Sequence, residues 1–174
     1  MRIEYVYVAM LLTLPLFAMH YSPFGETNLI RAVQHGDVPR AVELLNAGAD
    51  IEAADYFWRT PFLVAASYGQ RTMLLVLCSY GADIFAFDWV GNNALHLAVL
   101  NGRLCVIPLL LRFGLDITER NWRGQTPLSI ARDTNQVDID DLLMESQRTG
   151  FSFRSPLRLS PIPEEDNERM DNDN

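Results

Sequence analysis

Residues 88–102 read Asp88-Trp-Val-Gly-Asn-Asn-Ala-Leu-His-Leu-Ala-Val-Leu-Asn-Gly102, and 33 positions on the chain repeats itself as Asn121-Trp-Arg-Gly-Gln-Thr-Pro-Leu-Ser-Ile-Ala131. Working outward from Asn93 in steps of 33, one register position holds Thr27, Thr60, Asn93 and Thr126, and another holds Ala32, Ala65, Ala98 and Ala131. Gly36, Gly69 and Gly102 keep the step, as do Gly48, Gly81 and Gly114, and then Asp50, Asp83 and Asp116. A fixed period of this length marks a stack of like units, none of which buries its apolar face alone.

One unit explains itself physically. Thr60 before Pro61, and Thr126 before Pro127, place a helix cap ahead of the residue best suited to the first helical position. Phe62, Val64 and Ala65 give that helix a buried stripe, and Gly69 ends it. A second helix follows, with Met73, Leu74, Val76 and Leu77 spaced to face the core. Gly81 closes it and Asp83 opens the turn into the next unit. The fold class expected is all-α, a solenoid of stacked helix-turn-helix units with projecting β-hairpin-like loops.

These residues resemble the ankyrin repeat, whose pattern runs Gly-x-Thr-Pro-Leu-His, an Ala pair, a Gly, an apolar run and Gly-Ala-Asp. Gly48-Ala-Asp-Ile51 and Gly81-Ala-Asp-Ile84 match closely, and Gly114-Leu-Asp-Ile117 is one step away. The resemblance divides the chain into a hydrophobic N-terminal segment (1–23), four repeats (24–54, 55–87, 88–120 and 121–147) and an acidic tail (148–174). The outer units read as caps, with Arg40 and Glu43 where inner units carry apolar residues, and Asp138, Asp140 and Asp141 on the last helix.

Departures from the pattern carry information. The family's histidine is present only as His96, with Ile30, Leu63 and Ser129 in its place elsewhere, so the loop bracing it implies is weakened in those units. Pro108 lies early in a second helix, where a missing N–H is tolerated. Trp58 stands where Gly91 and Gly124 fall in the next units. A tryptophan there must avoid positive φ or take strain, so the loop before the second unit is expected to be reshaped.

A binding function would be written on the loops. Tyr56, Trp89 and Trp122 form an aromatic column at the repeat step, and Phe57, Trp58, Phe85 and Phe87 crowd the same edge. In ankyrin-like arrays loop tips and first helices form the recognition face, and aromatic residues are the usual anchors of protein interfaces. The alternative is that each ring only packs on a neighbouring loop. Arg59, Arg120 and Arg123 lie among the rings, placed to read a carboxylate or phosphate or to sit as solvated rim charges. The candidate partner site is therefore Tyr56, Phe57, Trp58, Arg59, Phe85, Phe87, Trp89, Trp122 and Arg123.

Composition narrows the classes. A net charge of −8 with no basic stripe argues against nucleic acid. All 14 cationic side chains are arginine, which fits either an arginine-favouring composition or escape from lysine modification. His20, His35 and His96 have no Cys or carboxylate at ligand spacing, and Cys78 and Cys105 are too few and too far apart for a metal clamp. Both cysteines fall in apolar runs, read as small core hydrophobes in a reducing compartment. Phosphate-loop, dinucleotide and nucleophile-elbow motifs are missing, so no enzyme activity and no cofactor are expected.

Two appendages flank the array. Val6 to Met19 is uncharged and nearly all apolar behind Arg2, so residues 5–21 read as a membrane anchor, a cleaved signal or a cap packed on the first unit. The run falls short of the roughly 20 residues a bilayer core requires. The tail holds Ser155-Pro-Leu-Arg158 and Ser160-Pro161 before an acidic stretch, a composition that predicts disorder, with Ser155 and Ser160 as phosphorylation candidates. The reading is a monomeric protein-binding scaffold, adaptor or regulator, cytoplasmic or nuclear. A membrane-tethered array is the alternative, and an inhibitor of a kinase or transcription factor is a further one by analogy.

Overall fold

Among the described residues, four helix pairs set side by side and one 3₁₀ turn account for the regular structure. The structure is a computed structural model that describes residues 27–148. The hydrophobic segment 1–23 and the stretch carrying Ser155 and Ser160 lie outside the described residues. The pairs are α1 (Asn28–His35) with α2 (Val38–Asn46), α3 (Pro61–Tyr68) with α4 (Arg71–Ser79), α5 (Ala94–Leu100) with α6 (Ile107–Arg112), and α7 (Pro127–Asp133) with α8 (Val137–Arg148). A 3₁₀ turn, Leu104–Val106, leads into α6 and puts Pro108 in its first turn. First helices begin at 28, 61, 94 and 127, so the sequence period is a spatial period.

The repeated caps set these starts. Thr27, Thr60, Asn93 and Thr126 each accept the backbone N–H three residues on, at 3.1, 3.4, 3.0 and 3.1 Å. Each bond satisfies one of the N–H groups a helix start leaves open. Thr126 also donates its own N–H to Ser129 Oγ, closing a capping box. In α6, Pro108 falls in the first turn, where its missing N–H forfeits no helical bond.

Packing follows from position in the stack. Units two and three have a neighbour on each side, so Pro61–Ala66 of α3 and Ala94–Val99 of α5 are buried without a break. Ala65, Ala98 and Ala131 are fully enclosed, and their small side chains let adjacent first helices approach. Phe62, Leu74, Leu77, Leu95, Ile107, Leu110, Ile130 and Leu143 fill the seam between them. The outer helices are wetter. Helix α2 buries only Ala41 and carries the Arg40–Glu43 pair (2.9 Å) outside, while α8 buries Ile139 and Leu143. Turns between helices are stitched to the preceding unit, Gln70 Nε2 donating to the Gln34 carbonyl and Arg103 Nε to that of Ser67 at 3.0 Å.

The cysteines differ from expectation. Cys78 is half-buried, and burial pushes its thiol above the ordinary value. Cys105 is exposed on the 3₁₀ turn, its thiol directed to the Gly69 carbonyl, rather than packed in the core. The apolar neighbours Leu104 and Val106 suggested burial, but the turn rotates position 105 outward.

Candidate functional site

Three buried side chains at the repeat step hold the loops. Asp55, Asp88 and Asn121 are each about 5% exposed or less. Asp55 Oδ1 accepts the N–H groups of Phe57 and Arg59, Asp88 Oδ1 those of Val90 and Asn92, and Asn121 Oδ1 those of Arg123 and Gln125. Each loop is thereby folded over one acceptor, which satisfies backbone donors that would otherwise be orphaned. Neighbouring loops are joined by single backbone bonds, Trp89 N–H to the Phe57 carbonyl and Trp122 N–H to that of Val90, both 3.0 Å. Among the described residues no strand forms; the hairpin-like character rests on closures such as Asp88 N–H to the Asn92 carbonyl.

The loops carry the exposed rings. Tyr56, Phe57, Trp58, Phe85, Phe87, Trp89 and Trp122 are all between 44% and 67% exposed. Phe57 and Trp89 meet with centroids 6.3 Å apart and planes tilted 50°. Trp58 and Trp122 meet edge to face, also at 6.3 Å and at 87°. Equivalent column members therefore do not stack on each other. Trp89 and Trp122 lean on the tip of the preceding loop, and Trp58 reaches Trp122 two loops away. Gly91 is the seat that permits this, since a Cβ there would lie 2.5 Å from Trp122 Cδ1.

The loop before the second unit is not reshaped. It makes the same closures as its neighbours, Asp55 N–H to the Arg59 carbonyl and Trp58 N–H to that of Asp55. Trp58 takes the left-handed conformation at φ 58°, where Gly91 and Gly124 sit at 81° and 77°. Of the two outcomes open to a tryptophan at that position, strain is the one observed. The Asp55 anchor, bonded at both oxygens, holds it there.

The arginines divide. Arg59 is turned inward, Nη2 2.7 Å from Asp55 Oδ2, with its guanidinium carbon 5.2 Å from the Phe57 ring centroid. Arg120 donates to the Gly124 carbonyl at 2.6 Å, and Arg123 stands exposed. Beneath the loops His96 is wholly enclosed. Its Nε2 lies 3.1 Å from the Gln125 carbonyl, joining α5 to the next loop, and its Nδ1 2.7 Å from Asn93 Oδ1, two acceptors of which a neutral ring donates to one. Burial pushes the imidazole below its ordinary value, against opposing pulls from the Gln125 carbonyl and Glu119. Where the other units lack histidine, Ser129 serves its own cap and Leu63 simply packs.

Sequence reasoning found the rings and missed two things. One is the Trp58–Trp122 contact, for which the repeat register gave no signal; Gly91 is the small residue against which the Trp122 ring lies. The other is a set of exposed apolar side chains away from the loops, Tyr68, Leu75, Tyr80, Leu100, Leu104 and Val137. Tyr80 is partly committed, its hydroxyl donating to Asn46 Oδ1 at 2.8 Å. Among the described residues no helix is long and apolar enough to cross a membrane.

No curated protein matches the chain. A family model described as an ankyrin repeat matches residues 90–119, which run from the tip of one loop through α5 and α6 into the next. Ankyrin repeats are protein-interaction modules. That match falls on one period of the helix-pair stack, so residues 90–119 form an ankyrin repeat.

Proposed function

We propose that the chain is a non-enzymatic interaction module, an adaptor or regulator, that binds a protein partner through the aromatic edge of its loops. The observation that carries this reading is the exposed ring cluster from Tyr56 to Trp122 on a frame pinned by Asp55, Asp88 and Asn121. Seven rings about half exposed present on the order of 700 Å², near the ~800 Å² per partner of a standard interface. A typical monomer's largest apolar patch is about 300–600 Å². Local bracing alone does not account for this, because Trp89 and Trp122 each touch the preceding loop yet stay 55% and 67% exposed. His96, the one buried imidazole among the described residues, is committed to a cap and a loop carbonyl and is closed to solvent, a brace rather than a base.

The test is proximity labelling with the full chain and with Trp89→Ala/Trp122→Ala, followed by affinity measurement on the recovered partner. The double variant should bind at least tenfold more weakly with little change in melting temperature. Equal binding by both forms would sink the proposal. The tethered alternative rests on residues 5–21; carbonate extraction of the full chain against one starting at Met19 tests it.

A further inference from the structure

The loop edge that bears the rings is acidic on balance, with Asp50, Glu52, Asp83, Asp116 and Glu119 set against the exposed Arg120 and Arg123. Asp50, Asp83 and Asp116 share one register position, and Glu52 and Glu119 stand close by in sequence. Their hydrogen bonds come from neutral donors. Asp50 Oδ1 accepts the Glu52 N–H, Glu52 Oε1 the Asp83 N–H at 2.7 Å, and Asp83 Oδ1 the Phe85 N–H at 2.9 Å. Asp116 Oδ1 accepts the N–H and hydroxyl of Thr118, and Glu119 Oε2 the Asn93 amide. The ion pairs Arg40–Glu43, Arg59–Asp55 and Arg132–Asp140 do not involve them. Of the cations beside the rings, Arg59 is paired with Asp55, Arg120 donates to the Gly124 carbonyl and keeps its charge, and Arg123 next to Trp122 stays exposed. Exposed carboxylates and exposed rings thus share the same loop segments, with Asp83 bonded to the backbone of Phe85. Along residues 83–89 exposure alternates, so Asp83, Phe85, Phe87 and Trp89 all open outward, acid and rings on one segment.

Resting on the aromatic edge being the partner site, we propose that the partner segment is a basic peptide, whose Lys or Arg side chains lie between the exposed rings and the Asp83/Asp116 carboxylates. A cation over an aromatic face is attracted by the ring quadrupole, and a carboxylate at the far side adds a charge-assisted bond. A second copy of this chain is the disfavoured occupant. Its net charge of −8 brings the same carboxylates against themselves. An acidic or neutral peptide gains the rings alone.

The test is selection of phage-displayed random 12-residue peptides on the full chain, with Trp89→Ala/Trp122→Ala as the counter-target. Selected peptides are then synthesised and titrated by tryptophan fluorescence. Peptides that need the two tryptophans should be enriched in Arg and Lys and weaken as salt rises. They should also lose about two- to fivefold in affinity for each of Asp83→Asn and Asp116→Asn. Both asparagines keep the oxygen that holds the loop, so the readout is charge and not folding. Tryptophan-dependent peptides without basic enrichment, or indifferent to both substitutions, would overturn the basic-partner assignment and leave the aromatic site standing. Absence of any tryptophan-dependent peptide would overturn both. If the double tryptophan variant loses its circular dichroism signal, the two asparagine variants decide alone.

Discussion

Gly91→Ala and Gly124→Ala occupy the same place in successive loops, and the structure separates them. Both glycines are left-handed, at φ 81° and 77°, so each alanine bears the ~1–2 kcal/mol that L side chains meet there. Around Gly124 a Cβ meets nothing within 4 Å. Around Gly91 it would lie 2.5, 2.7 and 2.7 Å from three atoms of the Trp122 indole, well inside the ~3.5–4 Å at which carbon atoms rest. Gly91 is fixed in the loop by its N–H bond to the Asp88 carbonyl, so the ring moves instead. Moving it breaks the edge-to-face contact with Trp58, a further ~0.5–1.5 kcal/mol. Gly124→Ala should therefore destabilise by about 1–2 kcal/mol and Gly91→Ala by about 2–3 kcal/mol. Urea denaturation followed by circular dichroism measures both. In a Trp122→Ala background the excess at Gly91 should vanish, a coupling of about 1 kcal/mol in the double-mutant cycle. Equal losses at the two glycines, or additivity in the cycle, would refute the seating of Trp122 on Gly91.

Other expectations follow from single contacts. Asp88→Ala orphans the Val90 and Asn92 N–H groups in a buried loop and should cost at least about 2 kcal/mol in chemical denaturation. Thr60→Ala, removing a buried cap, should cost about 1 kcal/mol by the same measurement. His96 has its value lowered by burial, so the unfolded chain takes up a proton first as pH falls. Stability is then full above the unfolded imidazole's ~6.5 and declines below it, and His96→Gln should flatten that decline between denaturation curves at pH 7.5 and pH 5.5.

How much of this the sequence disclosed varied with the kind of interaction. Helix starts were legible because Thr27, Thr60, Asn93 and Thr126 act locally, on a backbone group three residues away. The apolar seam was legible because helical spacing puts Met73, Leu74 and Leu77 on one face, although Val76, expected with them, is only partly buried and lies outside the core. The rings were legible as a column but not as contacts. Loop-to-loop geometry sets the Trp58–Trp122 approach, which joins positions 64 residues apart and leaves no periodic trace. Cys105 was misread because a 3₁₀ turn replaces the first turn of the second helix, shifting which side chains face inward.

Trp58 brings the stability and binding arguments together. Its backbone sits in a conformation that costs a non-glycine residue about 1–2 kcal/mol. Its ring contact with Trp122 returns about 0.5–1.5 kcal/mol, and 59% of the residue is exposed among the described residues. These terms nearly cancel, so Trp58→Gly should leave stability within about 1 kcal/mol of the parent. The glycine would keep the loop closure to Asp55 and remove only the ring. If the edge is the partner site, the same variant should weaken binding of a tryptophan-dependent peptide several-fold. A large loss of stability with binding preserved would make Trp58 a strut between loops. A near-neutral fold with impaired binding would mean the strain is tolerated for what the ring presents to a partner.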